Sequence, residues 1–535
     1  MNEILAFVKG DVESLDGDAV SIEVKDSNRP DIWSVEGIAR ALRNQLEVSD
    51  RRQIIVTGRS SLRVVIDKRV EPIRPFISTA IVKGLKPSEE ALKSWISLQE
   101  KLDLTYGRKR KRASIGLYQA DIVASPLSYT VADPEQTSFV PLGSDAKSTL
   151  RQIVNNHPKG SEYGGIISHF DEWPILIDGK DRILSLPPVI NSNDLGRITE
   201  DTRNVLVEVT GTDAETVHNT LKVMISSLAE RGGRIYSCIE TYTNGTRRRV
   251  ESPDLRPKPA KLSLSYLNKL LGTKLNHTEA ARSAKKAGYK VQRSSGDTLR
   301  LAIPCYRIDI MHPVDIVEDI AIAQDLNKLK PEWPRIWTIG DLSRETYQTE
   351  TIDEIMIGLG YQEVLTYVLT SPEVVDERGQ TKTENLVTLL NPKLTTHTVL
   401  RNSLLPSLLE FLSHNTHVDY PQRIFEVGAS VSRGERREQA REERKVSALT
   451  IHAEAGFTEI RSALDALTQN LGQTLEIEST TNPTFLTGRC GRIMSEGQEV
   501  GIVGEINPKI LQAWGLNLPA AAFELNISQK TTQGA

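Results

Sequence analysis

Cysteine is scarce in this chain of 535 residues, and the three that it has, Cys238, Cys305 and Cys490, lie far apart. An odd number at such spacing excludes a disulfide framework, and the closely paired cysteines of a structural zinc site are missing as well. We interpret all three as small buried apolar side chains. This usage is typical of a reducing compartment, so we expect the protein to be cytoplasmic.

Long apolar runs and a strong net charge are missing too. No run approaches the ~20 apolar residues of a membrane helix, and the first residues lack the layout of a signal peptide, so we expect no membrane association. Lys and Arg number 66 and Asp and Glu 70, which gives a net charge of -4. Any contact with nucleic acid must therefore come from a local basic patch.

Several familiar catalytic signatures do not occur. The glycine-rich segment 159–165 has neither the Walker A nor the dinucleotide-binding pattern, so we reject a phosphate loop there. No G-x-S-x-G element or paired Cys/His signature is found. The nine histidines place no metal-binding pair on one helix face.

The chain is long enough for about three or four domains. Helical and strand periodicities are mixed throughout, which predicts a multidomain α+β fold. Proline-rich stretches at 252–259 and 331–334 mark two boundaries. We predict four domains, which span residues 1–70, 72–250, 258–332 and 335–535. Among the predicted helices are one capped by Ser34 and those over residues 89–102, 214–231, 265–271, 278–287, 347–359 and 458–471.

Four carboxylates lie within eleven residues, at Asp309, Asp315, Glu318 and Asp319. The last three are spaced i, i+3, i+4 and share one face of a helix. Like charges this close repel, so they need a hard divalent cation or a cationic partner. An alternative is an acidic, solvated first helical turn, where carboxylates favour the positive end of the dipole.

Five consecutive cations, Arg108, Lys109, Arg110, Lys111 and Arg112, form the strongest basic cluster. They repel one another unless they are solvated or face a polyanion. Contact with an RNA backbone and a plain solvated loop both fit this pattern.

Glu208 interrupts the apolar strand pattern of residues 205–210, which follows a turn that carries Asn191 and Asn193. A carboxylate there is costly unless it finds a hydrogen-bond donor. Strand alternation could instead direct Glu208 to solvent, and spacing alone favours that interpretation.

Ordered motifs along nearly the whole chain resemble the β subunits of phenylalanyl-tRNA synthetases of the archaeal and eukaryotic type. Several matches in the same order are specific, although each alone is weak. The matching segments are 22–24, Asn28-Arg29-Pro30-Asp31, 34–40, Arg74-Pro75-Phe76-Ile77, His157-Pro158-Lys159-Gly160, Ser185-Leu186-Pro187-Pro188, 306–310 with the acidic run, Leu390-Asn391-Pro392, 400–406, 423–428 and 501–508.

For the fold, the resemblance implies a B3/B4-type editing domain at 72–250 and a winged-helix-like B5 domain at 258–332. It implies a C-terminal class II synthetase-like domain, an antiparallel sheet with helices, that has lost catalysis. Arg401 and Glu426 are then structural residues. Because the chain opens almost on the segment 10–13, we expect a shortened N-terminal domain or a misassigned start.

For function, the resemblance implies a subunit that attaches phenylalanine to its tRNA. A separate α subunit would carry the aminoacylation site and bind ATP and phenylalanine, in an α2β2 tetramer that binds tRNA(Phe). This chain would hydrolyse tyrosine wrongly attached to that tRNA, with an attacking water. The alternatives are a free-standing aminoacyl-tRNA deacylase and a non-catalytic tRNA-binding scaffold.

The resemblance also implies roles for the candidate residues. The four carboxylates would bind Mg²⁺ at the contact with the α subunit, and Glu208 would hold the hydroxyl of the tyrosine. Asn191 and Asn193 are polar residues expected to line the same pocket, and residues 108–112 are candidates for tRNA contacts. The glycine pair of the bacterial branch would fall at Val189 and Ser192, so the pocket floor differs from that branch.

Overall fold

The computed structural model describes residues 1–17, 19–48, 54–243, 248–292, 296–334, 337–378, 385–434 and 439–528. The chain divides into two compact units, residues 1–333 and 334–535. Both units combine helices with sheets, as the α+β prediction requires. In the described residues, no helix has both the length and the apolarity to cross a membrane.

The first unit opens with a small helix and a hairpin. Helix α1 (Asn2–Leu5) is followed by the antiparallel strands β1 (Gly10–Asp16) and β2 (Ala19–Val24). Helix α2 (Val35–Gln45) then begins as predicted, because the Ser34 side chain accepts a hydrogen bond from the backbone N–H of Gly37 and caps it.

The central part of this unit is built on a large mixed sheet. The strands of this part are β3 (Val56–Ile66), β4 (Phe76–Lys83), β5 (Ala113–Gln119), β6 (Leu127–Ala132), β7 (Ser138–Phe139), β8 (Ser148–Thr149), β9 (Trp173–Ile177), β10 (Ile183–Leu186), β11 (Ile190–Asn191), β12 (Asn204–Gly211), β13 (Arg234–Tyr242) and β14 (Arg248–Ser252). All of them belong to the large sheet except β7 and β8, which pair with each other. The order is β11-β10-β9-β6-β3-β13-β4-β12-β5, and β14 pairs with β13.

Strand β3 lies in the middle of this sheet. It pairs in parallel with β13 on one side and with β6 on the other. Residues 56–66 therefore belong to the sheet of the second predicted domain, although we assigned them to the first. The boundary that we predicted at residue 70 is corrected to a position before Val56.

Both faces of the sheet are covered. Helices α3 (Glu89–Leu104) and α6 (Ala214–Glu230) pack on one face, where Trp95 and Met224 are fully buried with Val205, Val207 and Val209 of β12. On the opposite face, Leu206 of the same strand packs in a second core with Tyr118 and Tyr129. Two further helices, α4 (Leu150–Asn156) and α5 (Pro158–Tyr163), follow the pair β7 and β8.

The last part of the first unit is a three-stranded antiparallel sheet with three helices. Its elements are β15 (Lys258–Ser263), α7 (Leu264–Leu271), α8 (His277–Lys286), β16 (Lys290–Val291), β17 (Thr298–Ile303) and α9 (Pro313–Gln324). Helix α7 ends at Gly272, which has a left-handed backbone (φ 65°) that glycine adopts without strain. Asp315, Glu318 and Asp319 of the acidic run thus lie on a helix, α9, as predicted, and Asp309 precedes it.

The second unit contains a mostly antiparallel sheet with helices. Its elements are α10 (Arg344–Gly358), β18 (Gln362–Glu363), β19 (Leu369–Thr370), β20 (Val399–Leu400), α11 (Leu405–His414), β21 (Gln422–Arg433), β22 (Ala440–Ile451), α12 (Phe457–Asn470), β23 (Glu476–Ser479), β24 (Phe485–Ser495), β25 (Gln498–Ile506), α13 (Pro508–Ala513) and β26 (Ala520–Asn526). The order is β18-β21-β22-β26-β25-β24-β23. Arg401 and Glu426 form a buried ion pair of 2.7 Å beside this sheet, which fits their structural interpretation.

Candidate functional site

A cavity of about 380 Å³ lies beside the polar face of β12. The loop that carries Pro187 and Pro188 forms part of its wall. The polar residues that line it include Arg110, His157, Ser185, Asn191 and Glu208. Two separate candidates from the sequence, the carboxylate of β12 and the basic run, therefore meet at one cavity.

Glu208 is buried, with 2% of its surface exposed, so the interpretation that strand alternation directs it to solvent is wrong. That interpretation fails because both faces of the sheet are covered. Glu208 Oε2 accepts a hydrogen bond of 3.0 Å from the Tyr118 hydroxyl, whereas its buried Oε1 has no hydrogen-bond partner among the described residues. Burial raises the pKa of the Glu208 carboxyl to about 7, while the hydrogen bond from Tyr118 and the charge of Arg74 act in the opposite direction.

Gly116 gives this carboxylate its space. It lies directly opposite Glu208 in the pairing of β5 with β12. A Cβ at position 116 would stand 2.2 Å from the Tyr118 hydroxyl and 2.6 Å from Glu208 Oε2, closer than any real Cβ contact. Sequence analysis missed Gly116 and Tyr118, although a glycine in the middle of an apolar strand is a signal that another group approaches the backbone closely.

The two predicted asparagines have different positions. Asn191 lines the cavity, and its Oδ1 lies 3.4 Å from the Tyr118 hydroxyl. Asn193 is not part of the cavity wall, and its backbone N–H donates to the carbonyl of Val140. We therefore correct the prediction that Asn193 lines the pocket, since the turn after β11 directs this residue to a neighbouring loop.

Arg110 fits neither interpretation of residues 108–112, which were contact with RNA and a plain solvated loop. Its Nη1 donates to the carbonyls of Pro188 and Val189, at 3.1 and 2.9 Å. Its Nε lies 3.0 Å from Asp103 Oδ2, and its guanidinium lies 4.2 Å from the centre of the Tyr163 ring. Arg110 therefore holds the proline loop of the cavity in place and is not available to a phosphate.

The other four cations of the run are exposed. Within the described residues, no ion pair occupies Arg108, Lys109, Lys111 or Arg112. Arg108, Lys109 and Arg110 all have positive φ, between 51° and 63°, which costs free energy for residues other than glycine. In this tight turn of residues 108–112, the basic turn, the Arg110 side chain points inward and the other four cationic residues are exposed.

Arg74 is hydrogen bonded to the backbone of the basic turn. It is 1% exposed, and its Nη1 donates to the carbonyl of Arg110 at 3.0 Å. Its Nη2 donates to the Thr210 carbonyl and to Ser114 Oγ. The same buried guanidinium thus ties β12, two residues beyond Glu208, to the basic turn.

The four carboxylates of the acidic run are distributed among different partners. Arg307 Nη2 lies 2.8 Å from Asp309 Oδ2 and 2.7 Å from Asp319 Oδ2. Asp315 Oδ2 accepts from two backbone N–H groups before α9. Glu318 Oε1 accepts from Lys9 at 2.6 Å.

This arrangement does not fit a magnesium ion as the sequence implied. In the part of the chain that the structure describes, no group of three or more His, Cys, Asp and Glu side chains is arranged to hold a metal. The physical reason is that cationic side chains and backbone amides already neutralise the carboxylates. Arg307, which stands two residues before Asp309 in the sequence, was the signal for this pairing.

Two family models match the chain. The model described as the phenylalanyl tRNA synthetase beta chain CLM domain matches residues 329–527. The model described as the tRNA synthetase B5 domain matches residues 260–325, which is the part that contains β15 to α9.

Full-length relatives and one solved structure are similar as well. The phenylalanine–tRNA ligase beta subunit of Thermococcus onnurineus is 39% identical over 94% of this chain and 89% of that protein, and that of Pyrococcus furiosus is 40% identical over 94% and 90%. An N-terminal fragment of the phenylalanyl-tRNA synthetase beta subunit from Pyrococcus horikoshii matches 60% of this chain and 93% of its own, with 38% identity and a TM-score of 0.58. The chain therefore belongs to the family of phenylalanine–tRNA ligase β subunits.

Proposed function

We propose that this chain works with an α subunit as a phenylalanine–tRNA ligase and removes wrongly attached tyrosine in the cavity beside β12. The α subunit would carry the site where ATP, phenylalanine and tRNA(Phe) react, and two copies of each chain would assemble in the cytoplasm. The observation that carries the editing proposal is the buried carboxyl of Glu208 in the cavity wall, whose Oε1 has no hydrogen bond within the described residues.

A second site of this kind meets a physical need. A pocket shaped for phenylalanine cannot strongly reject tyrosine, which only adds one hydroxyl. A site that hydrogen-bonds that hydroxyl can discriminate well, because phenylalanine would leave its buried polar group unpaired. The unpaired oxygen of Glu208 is such a group, and the cavity of about 380 Å³ has room for an aromatic side chain.

A positioned water is the best candidate for the nucleophile that attacks the ester. The serine hydroxyls of the cavity are engaged elsewhere, since Ser114 Oγ accepts from Arg74 and Ser185 Oγ lies 2.9 Å from the Tyr118 hydroxyl. In the described residues, neither serine is hydrogen bonded to a histidine that could activate it. A water held near the ester would need only orientation by the cavity wall.

The exposed cations of the basic turn are proposed to contact the tRNA. They lie on the same short turn as Arg110, whose side chain lines the cavity, so a bound RNA backbone would pass close to the opening. Phosphate contacts of this kind give affinity without sequence preference.

The two alternative functions are not favoured. A free-standing deacylase would hydrolyse Tyr-tRNA without associating with an α subunit, and a scaffold would hydrolyse nothing. The relatives that match nearly the whole chain are named as ligase β subunits.

A magnesium ion at the acidic run stays a prediction from the family resemblance. It would require Glu318 to exchange Lys9 for the ion and a neighbouring chain to supply further ligands, since the carboxylates of this chain do not converge. No step of the proposed reaction depends on it.

Glu208→Ala in the complex with the α subunit is expected to lower kcat/KM for Tyr-tRNA(Phe) hydrolysis by about 10- to 100-fold. This corresponds to a lost hydrogen bond to a charged group, worth about 1.5–3 kcal/mol. Attachment of phenylalanine should be unchanged. Deacylation of radiolabelled Tyr-tRNA measures the effect, and the exposed Glu200→Ala is the matched control. Hydrolysis by Glu208→Ala at the parental rate would contradict the proposal.

Gly116→Ala should damage the same site by crowding. The added Cβ must displace Tyr118 or Glu208, so we expect a loss of about 1–3 kcal/mol in unfolding free energy and weaker Tyr-tRNA hydrolysis. The control is Gly165→Ala, where a Cβ meets nothing within 4 Å. Thermal unfolding and deacylation are both measured, and equal behaviour of the two variants would argue against the close approach.

Lys109→Ala/Lys111→Ala is expected to weaken tRNA binding. The plot of log K against log salt should become less steep, by the amount that the loss of up to about two phosphate contacts predicts. Filter binding over a salt series measures both quantities. Lys258→Ala/Lys261→Ala removes two exposed lysines from β15, away from the basic turn, and serves as the control. An unchanged slope in the first variant would remove the basic turn from the tRNA surface.

Asp315→Ala/Glu318→Ala tests the metal prediction. If the ion is present, this variant should contain less bound magnesium and dissociate more readily from the α subunit. Elemental analysis of the purified complex and its mass in solution are the measurements, with the exposed Glu332→Ala as the control. Unchanged magnesium content and assembly would refute the prediction.

A further inference from the structure

Tyr118 is not itself part of the cavity wall, but its hydroxyl contacts three polar residues that are. It is fully buried on β5, and its hydroxyl lies 2.9 Å from Ser185 Oγ, 3.0 Å from Glu208 Oε2 and 3.4 Å from Asn191 Oδ1. These partners come from three strands, β10, β12 and β11. The phenol therefore joins the elements that enclose the cavity at one atom.

A phenol has one proton to donate, so its three neighbours cannot all accept it. The carboxylate is the strongest acceptor of the three, because hydrogen bonds to ionised groups are the stronger ones. Tyr118 thus donates to Glu208 Oε2, and the Ser185 hydroxyl can donate to the Tyr118 oxygen in turn. A polarised chain of this kind strengthens each of its members.

The two oxygens of Glu208 consequently have different roles. Oε2 is occupied by Tyr118 and packed against Gly116, where not even a methyl group fits. Oε1 is the oxygen for which the described part of the chain supplies no hydrogen bond. A hydroxyl that enters the cavity can pair with Oε1 alone, in one fixed orientation of the carboxylate.

We infer that Tyr118 is a positioning residue that determines specificity: by occupying Oε2 it fixes Glu208 so that only Oε1 receives the hydroxyl of the amino acid to be removed. This inference rests on the proposed editing function. It predicts that the contrast between tyrosine and phenylalanine depends on a hydroxyl that does not itself touch the substrate.

The electrostatic balance of the site agrees with this role. Burial raises the pKa of the Glu208 carboxyl, and the hydrogen bond from Tyr118 opposes that rise. Removal of the phenol hydroxyl should therefore raise the pKa of Glu208 further and leave more of it neutral near pH 7. The rotation of the unanchored carboxyl would add to the loss of recognition.

The test is Tyr118→Phe in the complete complex with the α subunit. We expect kcat/KM for Tyr-tRNA(Phe) hydrolysis to fall about tenfold, mainly through KM, and the ratio of Tyr-tRNA to Phe-tRNA hydrolysis to fall with it. The midpoint of the acidic limb of the pH–rate profile should move upward by about one unit. A role limited to stability would not move this midpoint.

Tyr129→Phe is the matched control. Like Tyr118, Tyr129 is fully buried in the same sheet and is not part of the cavity wall. Its hydroxyl donates to the carbonyl of Arg74, whereas that of Tyr118 donates to Glu208. If it lowers Tyr-tRNA hydrolysis as much as Tyr118→Phe and shifts the same limb, the effect is one of stability and the inference fails.

A second variant covers the case in which Tyr118→Phe does not fold. Ser185→Ala removes the donor to Tyr118 and should shift the pH–rate profile in the same direction by a smaller amount. If the parent hydrolyses Tyr-tRNA and both variants match it within twofold at every pH, only the inference is overturned. If the parent complex hydrolyses no Tyr-tRNA, the proposed editing function is overturned as well.

Discussion

A carboxylate enclosed by protein and left with one unpaired oxygen is the constraint on which the cavity depends. Burial of Glu208 carries a cost in free energy, because water no longer solvates its charge. The surroundings compensate only in part, through Tyr118 at Oε2 and through the charge of Arg74. The remaining oxygen leaves a deficit that a ligand with a hydroxyl can relieve, and in the proposed editing function this deficit is the basis of discrimination.

The basic turn and the cavity share one framework. Arg74 binds the backbone of the turn, and the Arg110 side chain binds the carbonyls of Pro188 and Val189. The strained left-handed residues 108–110 hold Arg110 inward between these contacts. The surface proposed to meet tRNA is thereby connected to the wall of the pocket through the guanidinium groups of Arg74 and Arg110.

Sequence periodicity was sufficient for much of the secondary structure. The helices predicted at 89–102, 214–231 and 458–471 occur within two residues of those limits at either end, since their apolar spacing and caps are local signals. The burial of Glu208 was not predictable in the same way. Alternation identifies which residues share a face, but only the fold decides whether that face meets water or a second layer.

The partners of the basic and acidic runs were the other feature that the sequence did not predict. Five adjacent cations gave no sign that Arg110 turns inward, because the carbonyls of Pro188 and Val189 that it binds are distant in sequence. The acidic run was clearer in retrospect, since Arg307 stands two residues before Asp309 and pairs with it. Acidic residues at metal-like spacing are thus ambiguous unless the cations close to them in sequence are considered with them.

The position of β3 has a consequence for the synthesis of the chain. Its neighbours in the sheet are β6 and β13, and the register joins Val56 to Ile235 and Ile66 to Tyr242. On the ribosome, the strand must wait for some 170 further residues before its second edge is paired. The pairing of β3 can therefore be completed only once β13 has been made, and a fragment that starts at residue 70 would leave β6 and β13 without their shared neighbour.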